Sequence, residues 1–216
     1  NSGPVTNYMA EYESFRADAQ RSDARVSPDL VGMGDQQGKQ YLLDLYAAGY
    51  PVIPTVESAE AIDQLPNAKE FIVKPKYGAD SIGLMAVKHD ELAGLQLDNV
   101  LFQPLIDFQY EVSFYFLDRQ PQYALSAPHP DRRWDLERYA ASDADWEFAQ
   151  QFVDWNAIDH GIQRVDACRT QEGELLLVEL EDLNPYLSLA LLEPNELDRF
   201  IENFKRSLHA QLSSSL

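Results

Sequence analysis

The spacing of apolar positions changes character near residue 70. Before that point apolar side chains recur every three or four residues. Tyr8, Met9, Tyr12 and Phe15 stand among Glu and Asp and predict a helix over 5–21. Pro28, Gly32 and Gly34 break the next stretch into a loop. A second helix is predicted over 37–48, with Tyr41, Leu42, Leu45 and Tyr46 inward and Gly49 as its stop. Residues 51–55 read as a short strand and 58–64 as a short helix. From residue 70 the period is two. Strands are predicted at 70–74 and 84–88, forming a hairpin, then at 100–103, 110–117 and 122–126. Residues 127–142 are polar and have no clear period, a long connection of the kind that often carries function. A helix follows over 145–156 with Phe148, Phe152 and Trp155 inward. Two more strands, 163–169 and 174–181, flank a tight turn. The last helix starts near Asn195, with Leu197, Phe200, Ile201, Phe204, Leu208 and Leu212 as its core stripe. This order predicts an α+β fold without a βαβ repeat.

Composition narrows the function classes. The chain has 216 residues, enough for one domain or two small ones around a sizeable core. It carries 17 Lys+Arg against 36 Asp+Glu, a net charge of −19, which argues against a nucleic-acid or membrane partner. The acidic excess is spread along the chain, as on a solvated face. No apolar run approaches the roughly 20 residues of a membrane span. The single cysteine, Cys168, excludes an internal disulfide and suits a reducing cytoplasm.

Four groupings bear on chemistry. Lys74 ends a β-branched strand and leads into Pro75, Lys76, Tyr77, Gly78, Ala79, Asp80, Ser81, Ile82 and Gly83. Small residues let backbone N–H groups approach phosphate oxygens, and a lysine adds fixed charge. The Gly-Lys-Ser/Thr ending of a P-loop is absent. A plain polar hairpin turn explains the same residues. The second grouping is the end of the strand at 174–181, where Glu179, Glu181, Asp182 and Asn184 follow an apolar run. Such a set suits a hard cation such as Mg²⁺, with Asp166 brought alongside by cross-strand pairing. Alternation puts Glu179 and Glu181 on one face and Asp182 on the other. A solvated strand end is the alternative. Arg164 shares a strand face with Asp166, either as an ion pair or as a bidentate phosphate donor. The fourth grouping, His129, Arg132, Arg133 and Arg138, is a basic cluster in an acidic chain, suited to an anionic ligand or simply solvated. No nucleophile elbow, zinc motif or Ser/His/Asp arrangement is legible.

Taken in order from about Gly38 to the C-terminus, these features resemble the ATP-grasp superfamily. Gly38-Lys39 followed by a helix and then Gly49-Tyr50-Pro51-Val52-Ile53-Pro54 is similar to the family's first lysine segment. Phe71-Ile72-Val73-Lys74-Pro75 resembles its second lysine strand. The loop from Gly78 to Gly83 resembles the lid over the β- and γ-phosphates. The resemblance implies Lys39, Lys74, Gly78 and Ser81 on phosphates, and Gln103, Pro104, Leu105 and Ile106 as the hinge that meets adenine. Many members carry Glu where this chain has Gln103. Glu111 matches a ribose-contacting glutamate. Arg164 would meet the transferring phosphoryl group. Asp166, Glu181 and Asn184 would hold Mg²⁺, or Mn²⁺ in its place, with Asp182 as the alternative to Glu181. A subgroup with Glu-Leu-Glu before Pro, including glutathione-synthetase-like enzymes and the cycloserine cyclo-ligase, favours Glu181.

The implied fold has two lobes, each an antiparallel sheet with packed helices, and ATP between them. Residues 1–34 would be a remnant of an N-terminal domain and its linker, 35–104 the small lobe, and 105–216 the large lobe with the metal site. The implied activity is that of an ATP- and Mg²⁺-dependent ligase. It would activate a small carboxylate as an acyl phosphate for attack by an amine, with Arg132, Arg133 or Arg138 on an anionic acceptor. A homodimer is compatible with this reading. The competing readings are an ATP-binding module without turnover and a structural domain using its acidic surface.

Overall fold

The computed structural model describes residues 8–213 except 23, 79–81, 93, 94, 96, 130 and 133. In chain order the elements are α1 (Met9–Arg21), α2 (Tyr41–Ala47), β1 (Glu70–Pro75), β2 (Met85–Lys88), β3 (Val100–Pro104), β4 (Phe108–Leu117), β5 (Gln120–Ala127), β6 (Glu137–Arg138), α3 (Asp143–Asn156), β7 (Ile162–Thr170), β8 (Leu175–Glu181) and α4 (Pro194–Ser213). Two antiparallel sheets result, one ordered β2-β1-β3 and the other β6-β5-β4-β7-β8. Among the described residues no helix is long and apolar enough to cross a membrane.

The larger sheet separates two environments by simple alternation. Val112, Phe114 and Phe116 of β4 and Val165 and Ala167 of β7 face one way. There they pack against Tyr41, Leu42 and Leu45 of α2 and Ala149, Phe152 and Val153 of α3. Alternate residues face the other way, where Tyr115 and Tyr123 stack at 4.3 Å and meet Phe200 of α4. The smaller sheet closes its own core of Phe71, Val73, Phe102 and Leu92.

Several expectations change. Residues 51–55 are not a strand of either sheet. Val52 bridges Leu177 of β8 and Val56 bridges Phe102 of β3, so this extended segment divides its hydrogen bonds between the two sheets. The helix expected at 37–48 starts at Tyr41, because Gly38 at φ +82° and a 3₁₀ turn over Asp35–Gln37 precede it. Residues 59–64 are 3₁₀, not α. The aperiodic stretch 127–142 contains β6, paired to β5. The apolar stripe of α4 is only partly covered: Phe200 is buried, while Ile201 and Leu212 are 38% and 68% exposed. In α1, Tyr12 is buried and Phe15 exposed; residues 5–7 of the expected helix lie outside the described residues.

Candidate functional site

The face of the large sheet opposite α2 and α3 carries polar side chains at one end. Cross-strand register places Ser113 of β4 beside Asp166 of β7, and Asp166 beside Glu179 of β8; Arg164 stands beside Glu181. A register shift between Asp166 and Ala167 decides which side the glutamates take. Leu175 and Leu177 point to the core, so strict alternation would send Glu179 and Glu181 there too. The extra residue at Val178 reverses the parity: Leu180 enters the core and both glutamates face the site.

One carboxylate oxygen from each of Asp166, Glu179 and Glu181 lies within 4.8 Å of the others. Arg164 lies across two of them. Its Nε and Nη2 donate to Asp166 at 2.8 Å each, and Nη2 also donates to Glu181 at 2.6 Å. Ser113 Oγ donates to Asp166 Oδ1 at 2.6 Å. Glu179 pairs with Lys39 Nζ. Lys39 stands just before α2, its backbone N–H donating to Lys76 O at 2.8 Å. Lys74, on β1 of the smaller sheet, completes the group and feels the charges of Glu179, Lys39 and Glu111. Lys39 and Lys74 are each only 8% exposed. Among the described residues Lys74 Nζ makes no hydrogen bond or ion pair, a rare position for a buried ammonium.

The proton affinities follow from this crowding. Burial pulls the Lys74 ammonium down to about 8, Glu179 opposes, and Lys39 pulls further. Burial pushes the Glu179 carboxyl up, but Lys39 and Lys74 together outweigh it and hold it below the ordinary value. Glu181 is pushed to about 8 by burial against the pull of Arg164, with Asp166 and Glu179 adding repulsion. Arg164 loses from burial and gains more from Asp166 and Glu181, so it stays charged. The Cys168 thiol is pushed to about 12 by burial first, which removes it as a nucleophile.

Asp182 does not join the cluster. It is fully buried on the other side of β8, where it accepts from Gly34 N at 2.9 Å and Gln36 N at 3.0 Å. Asp35 in turn accepts from Asp182 N and Leu183 N, and burial first, then Asp182, holds its carboxyl well above the usual range. Asp182 is therefore a fastening of the segment before Lys39, and the alternative that made it a ligand is corrected. Glu179, which alternation had already placed on one face with Glu181, is the acidic residue that completes the cluster; the shift at Val178 turns both toward Asp166.

Two solved structures share this architecture over most of the chain. The structure of D-cycloserine synthetase DcsG has a TM-score of 0.69 at 22% identity, covering 94% of this chain and 80% of that one. The D-alanine–D-alanine ligase of Bacillus anthracis, complexed with ATP, has a TM-score of 0.67 at 16% identity, covering 92% and 75%. A third, the ATP-grasp ligase PsnB with Mg, ADP and a variant of its minimal precursor, has a TM-score of 0.62 at 17% identity, covering 92% and 71%. The chain has the ATP-grasp fold. In sequence, the cycloserine biosynthesis protein DcsG of Streptomyces lavendulae is 29% identical over 198 residues. That match covers 74% of this chain, and 66% of the relative, so the chain spans about two thirds of its length. No protein-family model matches the chain.

The remaining residues singled out in the sequence are placed on this ATP-grasp frame as follows. Gln103 is buried, and its amide donates to Thr55 Oγ1 at 2.8 Å, so its side chain is turned into the intersheet connector. Pro104 is buried opposite Phe71. Leu105 is 47% exposed with its N–H given to Glu70 O, and Ile106 is half-buried. Gly78 is half-buried against Pro75, while Ser81 lies outside the described residues. Glu111 faces Cys168 across β4 and β7. Asn184 is exposed three residues beyond Glu181. The basic loop does not form one anion site from its described arginines. Arg132 pairs with Asp135 at 2.9 Å and Arg138 with Glu196 of α4 at 2.5 Å; Arg133 lies outside the described residues.

Proposed function

We propose that this protein is an ATP- and Mg²⁺-dependent ligase that activates a carboxylate and joins it to an amine or similar nucleophile. One observation carries the reading: Lys39, Lys74 and Arg164 converge with Asp166, Glu179 and Glu181 between the two sheets, and among the described residues the buried Lys74 makes no hydrogen bond or ion pair, feeling Glu179 and Glu111 only through their charge. A buried ammonium without a hydrogen-bonded partner is expensive, and its natural complement is an anionic ligand. The three carboxylates offer the oxygen donors that Mg²⁺ takes together with phosphates. Asp166, Glu179 and Glu181 would hold the ion, which would neutralise charge building up on the phosphates. Asn184 would supply a further oxygen.

The chain's own groups account for the remainder. Lys39 and Lys74 would hold the β- and γ-phosphates, and Glu111 would meet the ribose. The connection Gln103–Ile106 would meet adenine through its backbone, since the Gln103 amide is committed to Thr55. Arg164 is held beside the lysines by Asp166, Glu181 and Tyr186 O, and its guanidinium would meet the transferring phosphoryl group by giving up part of that hold. In the reaction a carboxylate oxygen attacks the γ-phosphorus and ADP leaves. The amine then attacks the acyl carbon, and inorganic phosphate leaves with the C–N bond formed. Positioning and charge neutralisation suffice, and no protein nucleophile is needed. DcsG is a synthetase by name, and PsnB is complexed with a precursor peptide, so both small acids and peptide carboxylates belong in the substrate panel. The relevant compartment is the ATP-rich cytoplasm.

Hydroxylamine trapping tests the proposal. With Mg-ATP and a panel of small acids and acidic peptides, one acid should yield a hydroxamate and an equal amount of ADP. ADP formation with no hydroxamate from any acid would overturn acyl-phosphate chemistry, and binding of ATP with no turnover would favour a non-catalytic module.

A further inference from the structure

Each of the three carboxylates already faces a cation supplied by the chain. Arg164 spans Asp166 and Glu181, and Lys39 sits on Glu179. These two cations differ in how they are held. Arg164 is tied by five contacts to three groups, one of them Tyr186 O at 3.2 Å. Lys39 is fixed at its backbone, by the bond to Lys76 O and by Gly38, whose φ of +82° lets the chain pass against the Tyr77 ring. Its ammonium is held at a single point, Glu179. A divalent ion takes carboxylate oxygens at about 2.0–2.1 Å when it is Mg²⁺, so it cannot share the near side of Glu179 with an ammonium. Two cations that close also repel.

We propose that Lys39 is a stand-in for the divalent cation, neutralising Glu179 until metal and nucleotide bind together and then transferring its ammonium from Glu179 to a phosphate oxygen. This rests on the ATP-site reading above and adds a rule of binding to it. Metal alone must displace Lys39 with no anion to receive it. Nucleotide alone must draw Lys39 away and leave Glu179 beside Asp166 and Glu181 with one cation fewer. Together, the two ligands exchange partners with Lys39 and leave no charge bare. Each ligand therefore tightens the other, by the same factor in both directions. Lys74 cannot play this part: its neighbours shift its proton affinity, but among the described residues it has no ion pair to exchange.

Mn²⁺ is the probe, because the electron paramagnetic resonance signal of the free ion falls as it binds. Without nucleotide, Lys39→Met should bind Mn²⁺ roughly tenfold or more tightly than the native chain, within the usual span of coupling factors. A non-hydrolysable ATP analogue should tighten Mn²⁺ binding about tenfold in the native chain and less than about threefold in Lys39→Met. Lys39→Arg, which keeps the charge, should behave as the native chain, and Glu179→Gln added to Lys39→Met should erase the gain. Lys39→Gln gives the same comparison should Lys39→Met fail to fold. Mn²⁺ binding by the neutral variants equal to or weaker than native, with the analogue still tightening it, overturns the stand-in role and leaves the ATP site intact. A native chain that binds Mn²⁺ neither alone nor with the analogue removes the ATP-site reading and this proposal with it.

Discussion

Lys74 is the residue whose placement is hardest to explain without a ligand. It occupies the end of a core strand, 8% exposed, with burial holding its proton affinity near 8. Two outcomes follow. Lys74→Met should raise the stability of the ligand-free chain, by about 1–3 kcal/mol, because a buried charge gives way to an apolar stem of similar length; urea titration reads this. ATP affinity should also weaken as pH rises through about 8, where the ammonium loses its proton. Lys74→Arg should flatten that dependence, since guanidinium stays charged. The stability effect of the same group has the opposite slope. Its folded value lies below the unfolded one of about 10.4, so the folded chain binds fewer protons between those values, and its contribution to stability rises with pH across that window. Among the residues that converge, Lys74, Lys39, Arg164, Asp166 and Glu181 each sit at a place the sequence marks: a strand end, the approach to a helix, or two apart on one strand. Glu179 was marked too, as sharing a face with Glu181, but that this face is the one bearing Asp166 depends on one extra residue at Val178, which no periodicity reveals.

At the scale of elements, the segment before α2 and the end of β8 are fastened by reciprocal bonds. Asp182 accepts from Gly34 and Gln36, Asp35 accepts from Asp182 and Leu183, and Tyr41 Oη accepts from Leu180 N at 2.8 Å. The glycines are part of this fit: a Cβ at Gly32 would lie 2.2 Å from Asp182 Oδ2. Asp182→Ala leaves two buried N–H groups unpaired and should destabilise the chain by about 3 kcal/mol, read as a lower urea midpoint with unchanged slope. Asp182 looked like part of an exposed acidic cluster in the sequence. Its role is set by backbone nearly 150 positions away, and local pattern carries no trace of that. The segment 51–55 misled for a related reason: it is extended like a strand but serves both sheets.

At the scale of the molecule, the α+β class was legible from element order and the two-sheet arrangement from the resemblance to ATP-grasp proteins, and the likeness to DcsG and to D-alanine–D-alanine ligase agrees with both. What order alone did not show is how α2 packs. Tyr41, Leu42 and Leu45 belong to the core of the five-stranded sheet, although the helix precedes the three-stranded one. Charge also acts at this scale. A chain of net charge −19 repels Mg-ATP at long range even though its site gathers Lys39, Lys74 and Arg164. Screening relieves that repulsion, so the association rate should rise, not fall, as salt is added. Stopped-flow with a fluorescent ATP analogue reads the sign.

The ATP site is tested by a thermal melt with ATP, with and without Mg²⁺, on the native chain and on Lys74→Met. At a hundredfold excess over the dissociation constant, a ligand confined to the native state should raise the midpoint by roughly 5–10 °C for a chain of this size. That rise should appear only with Mg²⁺ present and be lost in Lys74→Met. A native chain whose midpoint does not move in millimolar Mg-ATP, or a Lys74→Met variant that moves as far as the native chain, would contradict it.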